Sequence, residues 1–250
     1  MPRWLKQLAS YIISFVVYAW LLNPVAAAVL LGAIAFHECG HLYAAKYMGL
    51  RTKGFYLIPF MGGTALVADR YQKYSHMAFV LLAGPIAGTL LAIPFFALYV
   101  HTGSIMLGAS ALLMAGINLF NLAPLAMLDG GQLIESITYS INDKLAATFL
   151  TISYIVGAIV VWSFNPFISA MIIFFGVGTI TSAWKKISLK NEGLEKFLPP
   201  QPEKMSVGQI IITGITYLFT AVILCGMLYF CVKHNVHIKD LLSVKLPKIL

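Results

Sequence analysis

Seven apolar stretches, at about residues 8–22, 24–45, 77–99, 104–122, 145–163, 167–184 and 207–231, run through this chain of 250 residues. Most approach the roughly 20 residues that an α-helix needs to cross the hydrocarbon core of a bilayer. In lipid every backbone N–H and C=O must be satisfied within the protein, which leaves such stretches little choice but the helix. Composition agrees, because 60% of the residues are hydrophobic and only 10% charged, too few to cover a water-facing body of this size. A soluble globular enzyme is therefore excluded. The expected fold is all-α and polytopic, with six or seven transmembrane helices in a single integral membrane domain. Only Asn23-Pro24 separates the first stretch from the second. The first is therefore a short tilted span, a re-entrant segment or half of a broken helix, and the number of spans is open by one.

The formal net charge is +8, but its placement speaks for topology and against a nucleic-acid partner. Lys46, Arg51, Lys53, Arg70 and Lys73 follow the second stretch, and Lys185, Lys186, Lys190, Lys196 and Lys204 lie between the last two. The short loops near His101 and Asn165 carry no Lys or Arg. Basic loops stay on the cytoplasmic side, so both basic segments are expected there. The tail, with Lys233, Lys239, Lys245 and Lys248, then falls on the opposite side, against the trend. The N-terminal MPRWLKQLASYIISF resembles a signal peptide in its basic start and apolar run. No small-residue cleavage site follows before the next run, so it is expected to be retained. Cys39, Cys225 and Cys231 show neither zinc-knuckle spacing nor disulfide density. Residues 54–67, GFYLIPFMGGTALV, are apolar but interrupted by Pro59, Gly62 and Gly63. They are expected to form a short β-like hairpin dipping into the membrane and bordering a polar cavity.

The sequence His37-Glu38-Cys39-Gly40-His41 closes the second stretch. At about 100° per residue, His37 and His41 lie within about 40° of each other on a helix, where both can bind one metal. Glu38 is at the edge of that face, placed to act as general base without being a ligand, and Cys39 points away. Chance can produce a five-residue pattern. Two histidines and a glutamate at the end of an apolar helix are costly, however, and such residues mark function. A catalytic zinc takes three protein ligands and leaves one position open, so a third must come from elsewhere. Asp129 follows a span that returns to the depth of His37 and His41. Pro124 breaks the helix before it, and Gly130-Gly131 permits tight turns that would present the carboxylate from an unwound stretch. Glu135 is the competing acid, otherwise read as a solvated residue.

HECGH at 37–41 followed by NLAPLAMLDGG at 121–131 resembles the site-2 protease family of intramembrane zinc metalloproteases. The resemblance implies one Zn2+ per chain held by His37, His41 and Asp129, with Glu38 as general base. It also implies that Asn121 helps position the substrate or the oxyanion. Asn118, one turn earlier, has no counterpart in the motif and reads as a helix-packing residue. AGPIAG at 83–88 is similar to the family's glycine-proline motif, although many members have asparagine where this chain has Gly88. Small residues at this spacing also suit close helix packing. YLIPFMGGTAL at 56–66 resembles the hairpin with which relatives engage an extended substrate, which makes Gly62 and Gly63 candidate substrate contacts.

The similarity covers residues 24–131, the expected catalytic core, and reaches 132–250 only through hydropathy. The short third loop and tail leave no room for a PDZ or CBS domain, so a minimal form is expected. The implied function is zinc-dependent hydrolysis of peptide bonds within or near the transmembrane segments of membrane-anchored substrates. Its expected setting is a prokaryotic cell membrane, with the active site near the cytoplasmic side. Partners are the substrate, the lipid bilayer, and either a regulatory membrane protein or a second copy of the chain. Two alternatives stand beside it. One is a non-proteolytic zinc-binding membrane protein, a pseudoprotease or transporter-like partner, against which the intact Glu38 argues. The other is a zinc protease open to the cytosol that uses a downstream glutamate.

Overall fold

The computed structural model describes residues 2–59 and 62–244. Phe60 and Met61 of the expected hairpin, and Lys245 and Lys248 of the tail, lie outside the described residues. The elements in chain order are α1 (Arg3–Leu21), α2 (Pro24–Tyr47), β1 (Thr52–Ile58), β2 (Gly62–Val67), α3 (Tyr74–Thr102), α4 (Ile105–Asn121), α5 (Asp129–Ile141), α6 (Asp143–Trp162), α7 (Pro166–Asn191), α8 (Val207–Lys233) and α9 (Ile238–Leu242).

Among the described residues, six helices (α1, α2, α3, α6, α7 and α8) are long and apolar enough to cross a membrane, and α4 is a shorter apolar helix. The uncertainty of one span therefore comes to rest on α4, not on the first stretch. Asn23-Pro24 separates two helices. The Asn23 side chain accepts from Ala26 N at 2.8 Å, with Pro24 at the first helical position, an N-cap of the kind that contributes about 1 kcal/mol. Trp20, Phe164, Phe174 and Phe219 are among many large apolar side chains left exposed. Water would penalise these surfaces, whereas lipid does not. The chain is an integral, multi-pass membrane protein.

The chain forms two compact units. The first holds α1, α2, the hairpin, α4, α9 and the parts of α3 and α8 from Ala83 and Leu218 onward. Ala26, Tyr99, Ala109, Leu112, Cys231, Val236 and Leu241 make one core within it. Asn23 Nδ2 donates to the carbonyls of Leu241 and Leu242 at 3.0 and 2.9 Å, which ties the end of α9 to the start of α2.

In the same unit β1 and β2 pair antiparallel, with Ile58 opposite Gly62 and Leu57 opposite Gly63. An isolated hairpin is marginal, and α1 supports this one. Gln7 Nε2 donates to Lys53 O, Tyr11 Oη to Phe55 O and Ser14 Oγ to Leu57 O, at 2.9, 2.9 and 3.1 Å. Donors spaced three or four apart on a helix thus meet alternate carbonyls along the outer edge of a strand. At the base, Arg51 holds Asp69 through its backbone N–H and its guanidinium. These bonds keep the Asp69 carboxyl below its ordinary pKa.

The second unit holds the start of α3, then α5, α6, α7 and α8 up to Tyr217. Ala126, Ala147, Leu150, Ala183 and Ile187 form a core there. Asp143 accepts from Lys186 and Lys190 at 3.0 and 2.6 Å, and Tyr139 stacks parallel to Tyr74. The loop before α3 runs beside the loop before α8: Glu203 N donates to Gln72 O at 2.8 Å, and Lys73 pairs with the Glu203 carboxylate at 2.8 Å.

Candidate metal centre

His37, Glu38 and His41 are all buried near the end of α2 while Cys39 is exposed, as helical periodicity requires. The ring planes of His37 and His41 stand at 77°, and their Nε2 atoms are 3.0 Å apart. Two nitrogens bound to one tetrahedral zinc at about 2.0–2.1 Å would lie roughly 3.3 Å apart. The pair therefore has the spacing of two ligands of one ion.

Two glycines make room for this pair. A Cβ on Gly40 would meet the Ala83 carbonyl and would lie 2.8 Å from Ala87 Cβ, so α2 and α3 touch through their backbones. This is the close-packing use of the small residues at 83–88. At that closest approach a Cβ on Gly84 would fall on His41 Nε2 and 2.8 Å from His37 Nε2. The bare backbone of Gly84 thus bounds the space between the rings.

His37 Nδ1 is 2.9 Å from Asn118 Oδ1. The amide's other end is fixed, since Asn118 Nδ2 donates to Met114 O at 2.8 Å. The oxygen is left to accept, so Nδ1 carries the His37 proton and Nε2 presents its lone pair. Reading Asn118 as a packing residue alone misses this bond, for which the sequence carries no signal.

Glu38 turns toward the hairpin. A Cβ on Gly63 would sit 2.6 Å from Glu38 Cγ and 2.7 Å from Oε1. Gly63 is thus a glycine that seats Glu38 under β2, and its neighbour Gly62 closes the β-ladder with Ile58.

In the second unit the backbone from Leu122 to Leu128 leaves helical geometry. Irregular backbone at membrane depth needs partners, and it has them. Tyr217 Oη donates to Leu122 O at 2.7 Å, Ser153 Oγ accepts from Ala126 N at 2.6 Å, and Ser153 Oγ also donates to Pro124 O at 3.2 Å. A Cβ on Gly130 would meet Leu122 O, and one on Gly131 would meet Leu125 O. These glycines therefore serve close approach and not a left-handed turn, since neither is among the glycines of positive φ. Asp129 is the first residue of α5 and not part of the unwound stretch, so its carboxylate also lies at the favourable end of a helix dipole. It faces Tyr71, whose phenol is raised in pKa by burial and then by the Asp129 charge. Asn121, the last residue of α4, is half-buried and donates from Nδ2 to Ile117 O at 3.1 Å.

Within the first unit His37 and His41 thus offer two imidazole nitrogens to one candidate metal site, and Asp129 of the second unit is the carboxylate expected as third ligand. Two neutral imidazoles and a carboxylate are the donor chemistry of a catalytic zinc site. Glu135, the competing acid, is also in the second unit. It lies on a cavity of about 840 Å³ shared with Tyr139, Phe175 and Lys186. Burial pushes its carboxyl up to about 7, against the opposing pull of Lys186.

Comparison with known proteins agrees with this chemistry. The model of the family described as Peptidase family M50 matches residues 25–110. A zinc metalloprotease of Methanocaldococcus jannaschii is 29% identical over 126 residues, 46% of this chain and 36% of the relative. A Mycobacterium tuberculosis protein provisionally named as a zinc metalloprotease is 33% identical over 130 residues, 48% of this chain and 32% of the relative. A Synechocystis protein with the same provisional name is 28% identical over 136 residues, 50% of this chain and 34% of the relative. The matched stretch spans about a third of the length of each relative. Residues 25–110, which include His37, Glu38, His41, the β-hairpin and Gly84, are thus the part of this chain that is similar to peptidase family M50.

Proposed function

We infer that this protein is an intramembrane zinc metalloprotease that hydrolyses peptide bonds within or near the transmembrane segments of membrane-anchored substrates. The single observation that carries the reading is the facing pair of His37 and His41 Nε2 atoms with the Glu38 carboxylate buried beside them. His37, His41 and Asp129 would hold the zinc, which when bound supplies Lewis acidity and lowers the pKa of a water toward about 7. Glu38 takes the proton of the attacking water and returns it to the leaving amine. Asn121 would hold the substrate or its oxyanion. The catalytic core is residues 24–131, with 132–250 as supporting helices.

A helical substrate must unwind to expose a carbonyl, and strand addition would hold it extended. The carbonyls on the outer edge of β1 already accept from α1, and in the two-stranded sheet β2 has no second strand beside it among the described residues. We assign the substrate to the β2 edge, passing Gly62 and Gly63 beside Glu38. The bonds between the Gln72–Lys73 and Glu203 segments support a common side for the two basic loops, which positive-inside topology makes cytoplasmic. A prokaryotic cell membrane is the proposed location.

The test compares wild type, Asp129→Ala and Glu135→Ala. Zinc is measured in each purified protein, and new peptide termini are mapped in membranes containing each one. Loss of a ligand should deplete zinc in Asp129→Ala and abolish termini that map inside apolar segments, while Glu135→Ala keeps both. Full zinc in Asp129→Ala with depletion in Glu135→Ala would show that the wrong acid was chosen. Termini unchanged in a zinc-depleted variant would favour a non-proteolytic zinc protein.

A further inference from the structure

Asn118 is fully buried in the first unit, where an amide is costly unless every polar atom is used. Both of its ends are used: Nδ2 on the carbonyl of its own helix, Oδ1 on the ring of His37. The space it occupies belongs geometrically to α3. A Cβ built on Gly88 would fall on Asn118 Oδ1, Cγ and Nδ2 together. Any side chain at 88 would therefore drive the amide out of its place. The glycine at 88 differs in this respect from Gly116 on α4, where a Cβ would meet nothing within 4 Å.

We propose that Asn118 is a positioning residue for the metal site, fixing the His37 ring and its Nδ1–H tautomer, and that position 88 is glycine in order to admit it. The inference rests on the reading of His37 as a metal ligand. The physical logic is that of an imidazole ligand whose second nitrogen is held by an acceptor. That bond sets which nitrogen carries the proton, stops ring rotation and raises the basicity of the ligating nitrogen. Here the acceptor is an amide delivered across a helix interface. Its orientation is set by a helix carbonyl behind it, so no part of the relay is left to rotate.

The experiment uses the full chain purified in detergent, with zinc affinity read by competition with a chelator and ligand geometry by the absorption of the cobalt-substituted protein. Asn118→Leu, branched at the same carbon but unable to accept, should weaken zinc binding about 10–100-fold. Asn118→Asp offers an oxygen to the same N–H and should stay within a few-fold of wild type with the cobalt spectrum kept. Gly88→Ala should weaken binding as Asn118→Leu does. Added to Asn118→Ala, it should cost nothing further, because the new Cβ enters vacated space. This last comparison decides the matter even if Asn118→Leu does not fold. Wild-type affinity in Asn118→Leu, equal losses in the Leu and Asp variants, or additive losses from Gly88→Ala and Asn118→Ala would each overturn the proposal. His37→Ala separates the two levels. If it binds zinc as wild type does, the metal reading itself fails. If it loses zinc while Asn118→Leu does not, only the positioning role fails.

Discussion

Glu38→Gln is expected to lower turnover of a membrane-anchored substrate by about 10²–10⁴-fold, the usual contribution of a positioned acid–base group, with zinc content unchanged. The substitution keeps the shape of the side chain and removes only its ability to take a proton. Shape matters because the Glu38 side chain is buried and seated against Gly63, where a shorter or bulkier residue would disturb the hairpin as well. Zinc should stay because Glu38 is not one of the proposed ligands His37, His41 and Asp129. The measurement is kcat for the purified protein in lipid vesicles alongside its zinc content. Turnover within tenfold of wild type would remove Glu38 from the chemistry, and loss of zinc would make it a ligand.

Gly84→Ala should cost the protein its zinc, with an affinity loss on the order of 10²-fold and a matching loss of activity, although the residue bears no functional group. The added Cβ would overlap His41 Nε2 and press on His37 Nε2. Helix α3 cannot step back without giving up the contact of Ala83 and Ala87 with Gly40. The rings are therefore the parts that yield, and displaced ligands lose the metal. Gly116→Ala is the control: nothing lies within 4 Å of its Cβ, and replacing a helical glycine by alanine favours the helix by up to about 1 kcal/mol. Zinc titration and thermal unfolding of the two variants measure the contrast. A Gly84→Ala protein with full zinc would mean that α2 and α3 are not held as tightly as the Gly40 contact requires.

Much of the membrane architecture was legible in the chain because hydropathy acts locally. A run of about twenty apolar residues specifies a helix whatever packs on it, and Asn23-Pro24 both ends and starts one through cap chemistry that involves only its neighbours. The fourth span was not decidable in the same way, since α4 has 17 residues and falls at the edge of the length criterion. The hairpin was legible from Pro59, Gly62 and Gly63, but not its support. Gln7, Tyr11 and Ser14 read as incidental polar residues on an apolar helix until the carbonyls of Lys53, Phe55 and Leu57 are set against them.

At the metal centre the same division holds. By itself the sequence determined which residues are candidates for the chemistry: His37, Glu38 and His41 share a face because 3.6 residues make a turn, and Asp129 comes with a break and two glycines. Tertiary structure alone decided how those residues are held. Gly84 is set against the His37 and His41 rings, Gly88 yields its volume to Asn118, and Ser153 and Tyr217 satisfy the unwound backbone between Leu122 and Leu128. The physical reason is that periodicity and hydropathy are properties of neighbours along the chain. Excluded volume and hydrogen bonding between helices depend on atoms far apart in sequence, which only packing brings within reach.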